Sequence, residues 1–241
     1  MTYVAHPEGT LWRSKLDGSE RLQLTFPPMI AYLPRWSPDG KRIAFEGSAL
    51  GKPWLMYLVS AEGGAPEQMA TGLGDVGWTA DGRSLVYGEY PLFIQAGAGG
   101  KLAIHLMDLR TRQVTTLPDS QGLYSPSPSP DGRYIAAIRP GPEVLVVFDV
   151  AARKWLEVPS VHLNFHSWSH DSKYIYFDTW EGDAVCRVRV SDWKLERLAS
   201  LKGVRRTGVV FTWAGLAPDD SFLVLRDIGT QDIYALDVDF P

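Results

Sequence analysis

The sequence predicts an all-β protein assembled from repeated four-stranded units, and three observations carry that prediction. The first is a seam that recurs along the 241 residues. Its clearest copy is Arg35-Trp36-Ser37-Pro38-Asp39-Gly40-Lys41-Arg42-Ile43-Ala44-Phe45. The stretch Gly77-Trp78-Thr79-Ala80-Asp81-Gly82-Arg83-Ser84-Leu85-Val86-Tyr87 keeps the Trp, the Asp-Gly and the apolar run in order. Weaker copies run from Pro128 to Ala137, from Trp168 to Phe177 and from Leu216 to Leu225. The second observation is the period: Asp39, Asp81, Asp131, Asp171 and Asp219 stand 40 to 50 residues apart, the spacing of propeller blades or arrays. The third is composition, since nine Trp, ten Tyr and nine Phe favour strands and no window carries a long helical stripe. Together they predict a single domain over residues 1–241, a six-bladed β-propeller with incomplete first and last blades. The alternative is five blades, in which the N-terminal D strand completes the last one.

Each repeat reads as strands A to D. Strand A ends at the Trp. The Ser-Pro-Asp-Gly turn follows because Pro presets φ at the first corner, Asp bonds back to nearby N–H groups and Gly tolerates positive φ. Strand B is the apolar run after the turn: Ile43–Phe45, Leu85–Tyr87, Ile135–Ile138, Ile175–Phe177 and Phe222–Leu225. Strand C covers Leu55–Leu58, Ile104–Asp108, Leu145–Asp149, Val185–Val190 and Ile233–Asp237, and polar hairpin turns lead into strand D. The N-terminus supplies B, C and D strands with no A before them, and the last repeat stops at Pro241 before any D. The chain therefore reads as cut mid-repeat from something longer.

The bulk numbers bound the function classes. Net charge is −4 with Lys and Arg scattered, so no basic face is offered to phosphate backbones and direct nucleic-acid binding is not expected. No segment approaches the roughly 20 apolar residues of a membrane span. The opening Met1–Pro7 lacks an export signal. The lone Cys186 permits no internal disulfide and sits in an alternating run, where it reads as a small buried hydrophobe.

The Trp-Ser-Pro-Asp-Gly-Lys-x-Ile-Ala-Phe seam is followed by an apolar C strand and an Asp-Gly or Gly-Gly turn before Leu-Thr. In this it resembles the TolB-like, WD-repeat-like β-propeller family, from residue 3 to residue 240. The runs Gly9–Thr25 and Gly229–Asp237 are also similar to the C-terminal propeller of large bacterial signalling proteins, where such repeats follow a winged-helix DNA-binding domain or a Ser/Thr kinase domain. These resemblances imply a sensory or interaction module, and the first implies a periplasmic setting. The fourth and fifth seams depart from the family pattern at His170, Ser172 and Leu216.

No catalytic signature is present: the chain holds no Gly-x-Ser-x-Gly elbow, no His-Glu-x-x-His, no Cys pair and no phosphate loop. The stretch Ala96–Leu102 places Lys101 after glycines but lacks the leading Gly and the following hydroxyl residue. His162, His166 and His170 are four apart, yet they fall on a connection, a strand and a turn, so they do not align as metal ligands would on a helix. A resemblance to oligogalacturonate lyases, propeller enzymes with a His-held metal, would require them to cluster. Most carboxylates have turn duties, which leaves Asp178, Glu181 and Asp183 around Trp180 as an acidic-aromatic loop. No cofactor and no metal are expected.

Strand direction points to a binding face. In a four-stranded meander the A–B and C–D turns share one face, and the B–C and D–A connections share the other. The second set is long and differs in every repeat, for example Phe26–Pro34, Glu89–Lys101 and Ser200–Phe211. Variable loops on a rigid scaffold are where binding is built. The candidate contacts on that face are Phe26, Met29, Tyr32, Tyr124, His166, Trp180, Arg205 and Arg206, because aromatic and Arg side chains dominate interfaces. The expected function is a non-enzymatic module presenting this face to a protein or small ligand. The alternatives are the gating propeller of a prolyl-oligopeptidase-type peptidase and a lyase of acidic sugars.

Overall fold

A computed structural model describes residues 1–71, 74–89, 102–141, 144–159, 161–207 and 214–229. The predicted C strand of the last repeat, Ile233–Asp237, and most of the Glu89–Lys101 connection lie outside the described residues. The described chain is all-β and forms a β-propeller of successive antiparallel sheets. The first sheet has three strands, β1 (Thr2–Ala5), β2 (Thr10–Arg13) and β3 (Leu22–Gln23). Four complete sheets follow in chain order. They are β4 (Ile30–Trp36), β5 (Arg42–Ser48), β6 (Leu55–Ser60) and β7 (Glu67–Thr71); β8 (Gly74–Trp78), β9 (Ser84–Glu89), β10 (Ile104–Asp108) and β11 (Val114–Thr116); β12 (Tyr124–Pro128), β13 (Tyr134–Arg139), β14 (Val144–Asp149) and β15 (Lys154–Glu157); and β16 (Leu163–Trp168), β17 (Tyr174–Thr179), β18 (Ala184–Arg189) and β19 (Lys194–Ser200). A two-stranded sheet, β20 (Ala214–Leu216) and β21 (Phe222–Val224), ends the described part. Among the described residues no helix is long and apolar enough to cross a membrane.

The core is divided between blade boundaries. One apolar cluster (Leu11, Leu24, Ile43, Phe45) joins the first two sheets, and another (Ala44, Leu58, Val76, Leu85) joins the second and third. Two more join the third to the fourth and the fourth to the fifth, through Val86 with Ile135 and Val147 with Ile175. The B and C strands therefore bury both faces, which is why they are almost continuously apolar; each large side chain contributes roughly 1.5–3 kcal/mol on leaving water. Cys186 is buried within the fourth boundary, as a small hydrophobe would be.

The seam turns lock in the manner their residues predict. The Ser37 hydroxyl donates to Asp39 Oδ1 at 2.6 Å and accepts from the Arg42 N–H at 2.9 Å, while Lys41 N–H donates to the same carboxylate at 3.0 Å. Thr79 and Asp81, Ser129 and Asp131, and Ser169 and Asp171 repeat this network. The hydrogen bond from Ser37 holds Asp39 below the usual carboxylate range, and that from Thr79 does the same for Asp81. The Lys173 N–H, with Ser169, takes Asp171 down to about 2. Gly40 occupies the left-handed region at φ 68°, as a turn glycine must.

Where the last two seams depart from the pattern, they add a bond to the preceding blade. Ser172 and Asp220 replace the turn glycine and keep its positive φ, 59° and 62°. The Ser172 hydroxyl accepts from the Asp131 N–H at 3.0 Å, and Asp220 accepts from the His170 N–H at 3.0 Å with His170 Nδ1 at 2.7 Å.

Candidate functional site

The A strands are the inner edges of their sheets, and they wall a cavity of about 660 Å³. The lining comes from β4, β8, β12, β16 and β20 and extends to the seam-turn residues Pro38, Ala80, Pro130 and His170. Edge position explains the composition of β12, Tyr-Ser-Pro-Ser-Pro: Pro126 and Pro128 lack the N–H that a strand paired on both sides would have to donate. Close approach at this wall requires Gly77, since a Cβ there would lie 2.6 Å from Pro128 Cδ.

Four polar side chains converge in the cavity, one from each of four A strands: Arg35, Asp75, Ser125 and His166. Asp75 is 6% exposed. The Ser125 hydroxyl donates to Asp75 Oδ2, and Asp75 Oδ1 lies 3.8 Å from Arg35 Nη2 without a hydrogen bond. His166 is half-buried with its Nε2 shielded and unbonded. Burial takes its imidazole down to about 4, against the opposing pull of the Asp75 charge and with the smaller push of Arg35, so it is neutral at neutral pH. Trp36, Trp78, Phe165 and Trp168 line the same cavity.

Backbone irregularity accompanies three of these groups, Arg35, Ser125 and His166, while Asp75 sits on the regularly paired β8. Register shifts interrupt β4 between Tyr32 and Arg35, β12 between Tyr124 and Ser127, and β16 between Leu163 and His166. Leu33 and Ser125 hold positive φ of 45° and 52°, uncommon for residues with a Cβ. An extra residue in one strand turns side chains that the alternation would send elsewhere, and such bulges and strained residues gather at binding sites.

The residues named from sequence are spread over several environments. Phe26 is 63% exposed and Trp180 46% exposed, both on the connections expected to carry contacts. Trp180 stacks on His162 at 5.2 Å, and Arg205 is exposed. Met29 packs partly buried against the first apolar cluster. Tyr32 lies half-buried on β4, edge-on to Trp54 at 6.2 Å, its phenol pushed up by burial and then by Asp75 and Glu46. Two of the named residues lie within the packing. Tyr124 is only 5% exposed and sits in a core cluster, and Arg206 is buried, donating to Asp178 Oδ2 at 2.9 Å. Burial raises the Asp178 carboxyl despite that bond. His166 faces the cavity, which runs toward the short seam turns and away from the long-loop face where the strand-direction argument placed binding.

The three histidines do not meet. His162 is near Glu181 at 3.7 Å, His170 pairs with Asp220, and no group of three metal-ligating side chains forms among the described residues. Sequence reasoning passed over Arg35, Asp75 and Ser125. The signal for Asp75 was present as a charged residue inside a short strand with Gly74 and Gly77.

Comparison with solved structures places the fold. A structure of a TolB from Agrobacterium tumefaciens matches 80% of this chain and 74% of its own, with a TM-score of 0.66 at 22% identity. TolB from Acinetobacter baumannii matches 88% of this chain and 58% of its own, at 0.68 and 21% identity. The fold is that of a TolB-like β-propeller. A structural study of two prolyl endopeptidases supplies a further match, 86% of this chain and 34% of that one, with a TM-score of 0.59 and 16% identity. In sequence, tricorn protease homolog 1 of Streptomyces coelicolor is 32% identical over 99 residues. That stretch is 35% of this chain and 9% of the relative, so the chain answers to a small part of that protein. No family model matches the chain.

Proposed function

We propose that this chain is a non-enzymatic propeller module that binds a protein segment or a small ligand, as the interaction part of a larger bacterial signalling protein. The single observation that carries the reading is the cavity at the inner strand edges, where polar side chains from four repeats meet and three of their strands carry bulges. Its chemistry favours holding over bond-breaking. A nucleophilic serine needs its proton taken by an adjacent base with a carboxylate behind that base, whereas Ser125 gives its hydrogen bond directly to Asp75. The similarity to TolB structures supports the fold of such a module. Phe26, Trp180 and Arg205 offer a second contact surface on the long-loop face. The signalling context rests on the repeat-sequence resemblance to propellers of winged-helix regulators and kinases, and a periplasmic setting on the TolB resemblance.

A fragment screen by ligand-observed NMR tests this reading. Ala80→Trp places a large side chain at the cavity rim, and hits that it displaces support the cavity as the binding place. A screen whose every hit ignores Ala80→Trp would remove it.

A second reading has its own observations, the similarity to tricorn protease homolog 1 and to prolyl endopeptidases. In it the propeller gates a peptidase. A serine-hydrolase segment in the same open reading frame would decide for it, and a frame with a different effector domain would decide against it.

A further inference from the structure

Two acceptors in the cavity lack donors. Asp75 is 6% exposed and accepts from Ser125 at Oδ2, yet Oδ1 makes no hydrogen bond. Arg35 approaches it only to 3.8 Å, beyond the roughly 2.7–2.9 Å of a charge-assisted bond, and its own side chain is 45% exposed. His166 Nε2 is shielded and unbonded in the same way. Its ring is neutral, so one nitrogen can accept. Buried polar atoms are nearly always satisfied, and two unsatisfied atoms on residues that line one cavity call for an occupant that completes them.

The chemistry narrows the occupant. An anion would be repelled by Asp75, and a hydroxyl offers a single hydrogen. A primary ammonium supplies three donors and a compact positive charge. The aromatic wall of Trp36, Trp78, Phe165 and Trp168 suits an aliphatic stem carrying that charge.

We propose that the cavity binds a primary ammonium group, with Asp75 Oδ1 and His166 Nε2 accepting its hydrogens and the tryptophans enclosing its alkyl chain. The proposal rests on the cavity reading above and names its ligand class. Arg35 is a competitor: its guanidinium partly neutralises Asp75 and yields to the incoming cation.

The test is a titration followed through the His166 ring resonances by NMR. Butylammonium is expected to shift them saturably in the millimolar range, while butanol and butyrate leave them unmoved. Asp75→Asn should weaken binding at least tenfold, and Arg35→Ala should strengthen it severalfold. Nα-acetyl-lysine methylamide identifies the source: tighter binding than butylammonium assigns a peptide lysine, and equal or weaker binding assigns a free amine. Absence of saturation with butylammonium, or an indifferent Asp75→Asn, overturns the proposal. If Asp75→Asn does not fold, Arg35→Ala decides, and unchanged or weaker binding there is equally fatal. Saturable butyrate binding abolished by Ala80→Trp would overturn the ammonium and leave the cavity reading standing.

Discussion

The indole N–H of Trp168 donates to the backbone carbonyl of Ser127 at 2.8 Å, tying its seam to the inner strand of the blade before it. Trp78 makes the same bond to the Arg35 carbonyl at 3.0 Å, with the Arg42 guanidinium 5.0 Å over its ring. The seam Trp thus fills an apolar boundary and satisfies a carbonyl that an edge strand would otherwise leave open. Trp168→Phe should keep the shape and lose the bond, costing about 1–3 kcal/mol. Urea denaturation should show a lower midpoint with an unchanged slope.

Gly77 and Pro128 meet across the third boundary with no room for a methyl group. Because the contact is a rigid ring, Gly77→Ala should destabilise by about 1–3 kcal/mol, as overpacking does. Thermal unfolding by circular dichroism measures it.

Ser172 holds φ 59° and accepts from the Asp131 N–H. Ser172→Ala loses the bond and keeps the backbone strain, whereas Ser172→Gly loses the bond and relieves it. The alanine variant should be the less stable of the two by about 1 kcal/mol. Equal midpoints would show that the left-handed conformation costs nothing here.

His166 and Asp171 set the acid limb of stability in separate windows. The His166 imidazole falls from an ordinary 6.5 to about 4 on folding, so the unfolded chain takes up its proton first and stability declines as pH drops from 6.5 toward 4. Asp171 falls from 3.8 to about 2, so its contribution is present above 3.8 and is lost as pH drops toward 2. Denaturation midpoints measured between pH 7 and pH 3 should fall less steeply above pH 4 in His166→Gln. The same change should leave the decline below pH 4 in place, and Asp171→Asn should flatten that lower part.

The repeat was legible because each blade solves the same local problem. A turn that needs Asp and Gly, and a strand buried on both faces, leave a mark every 40 to 50 residues, and the predicted B, C and D strands up to Ser200 all appear. The cavity was not legible for an equally physical reason. Loop length marks surface variation, while the cavity is made by strand edges whose residues look unremarkable one repeat at a time.

What the sequence determined by itself is the blade: its strand order, its seam, its capping carboxylates and the burial of Cys186, all short-range consequences of side-chain type and period. Only tertiary structure decided that Arg35, Asp75, Ser125 and His166 share one cavity. They stand one, three, three and two residues before the ends of their A strands, out of step with one another. Register shifts in β4, β12 and β16, beside a regularly paired β8, bring them to one wall, and a bulge is a property of how two strands pair, which no single strand's alternation encodes.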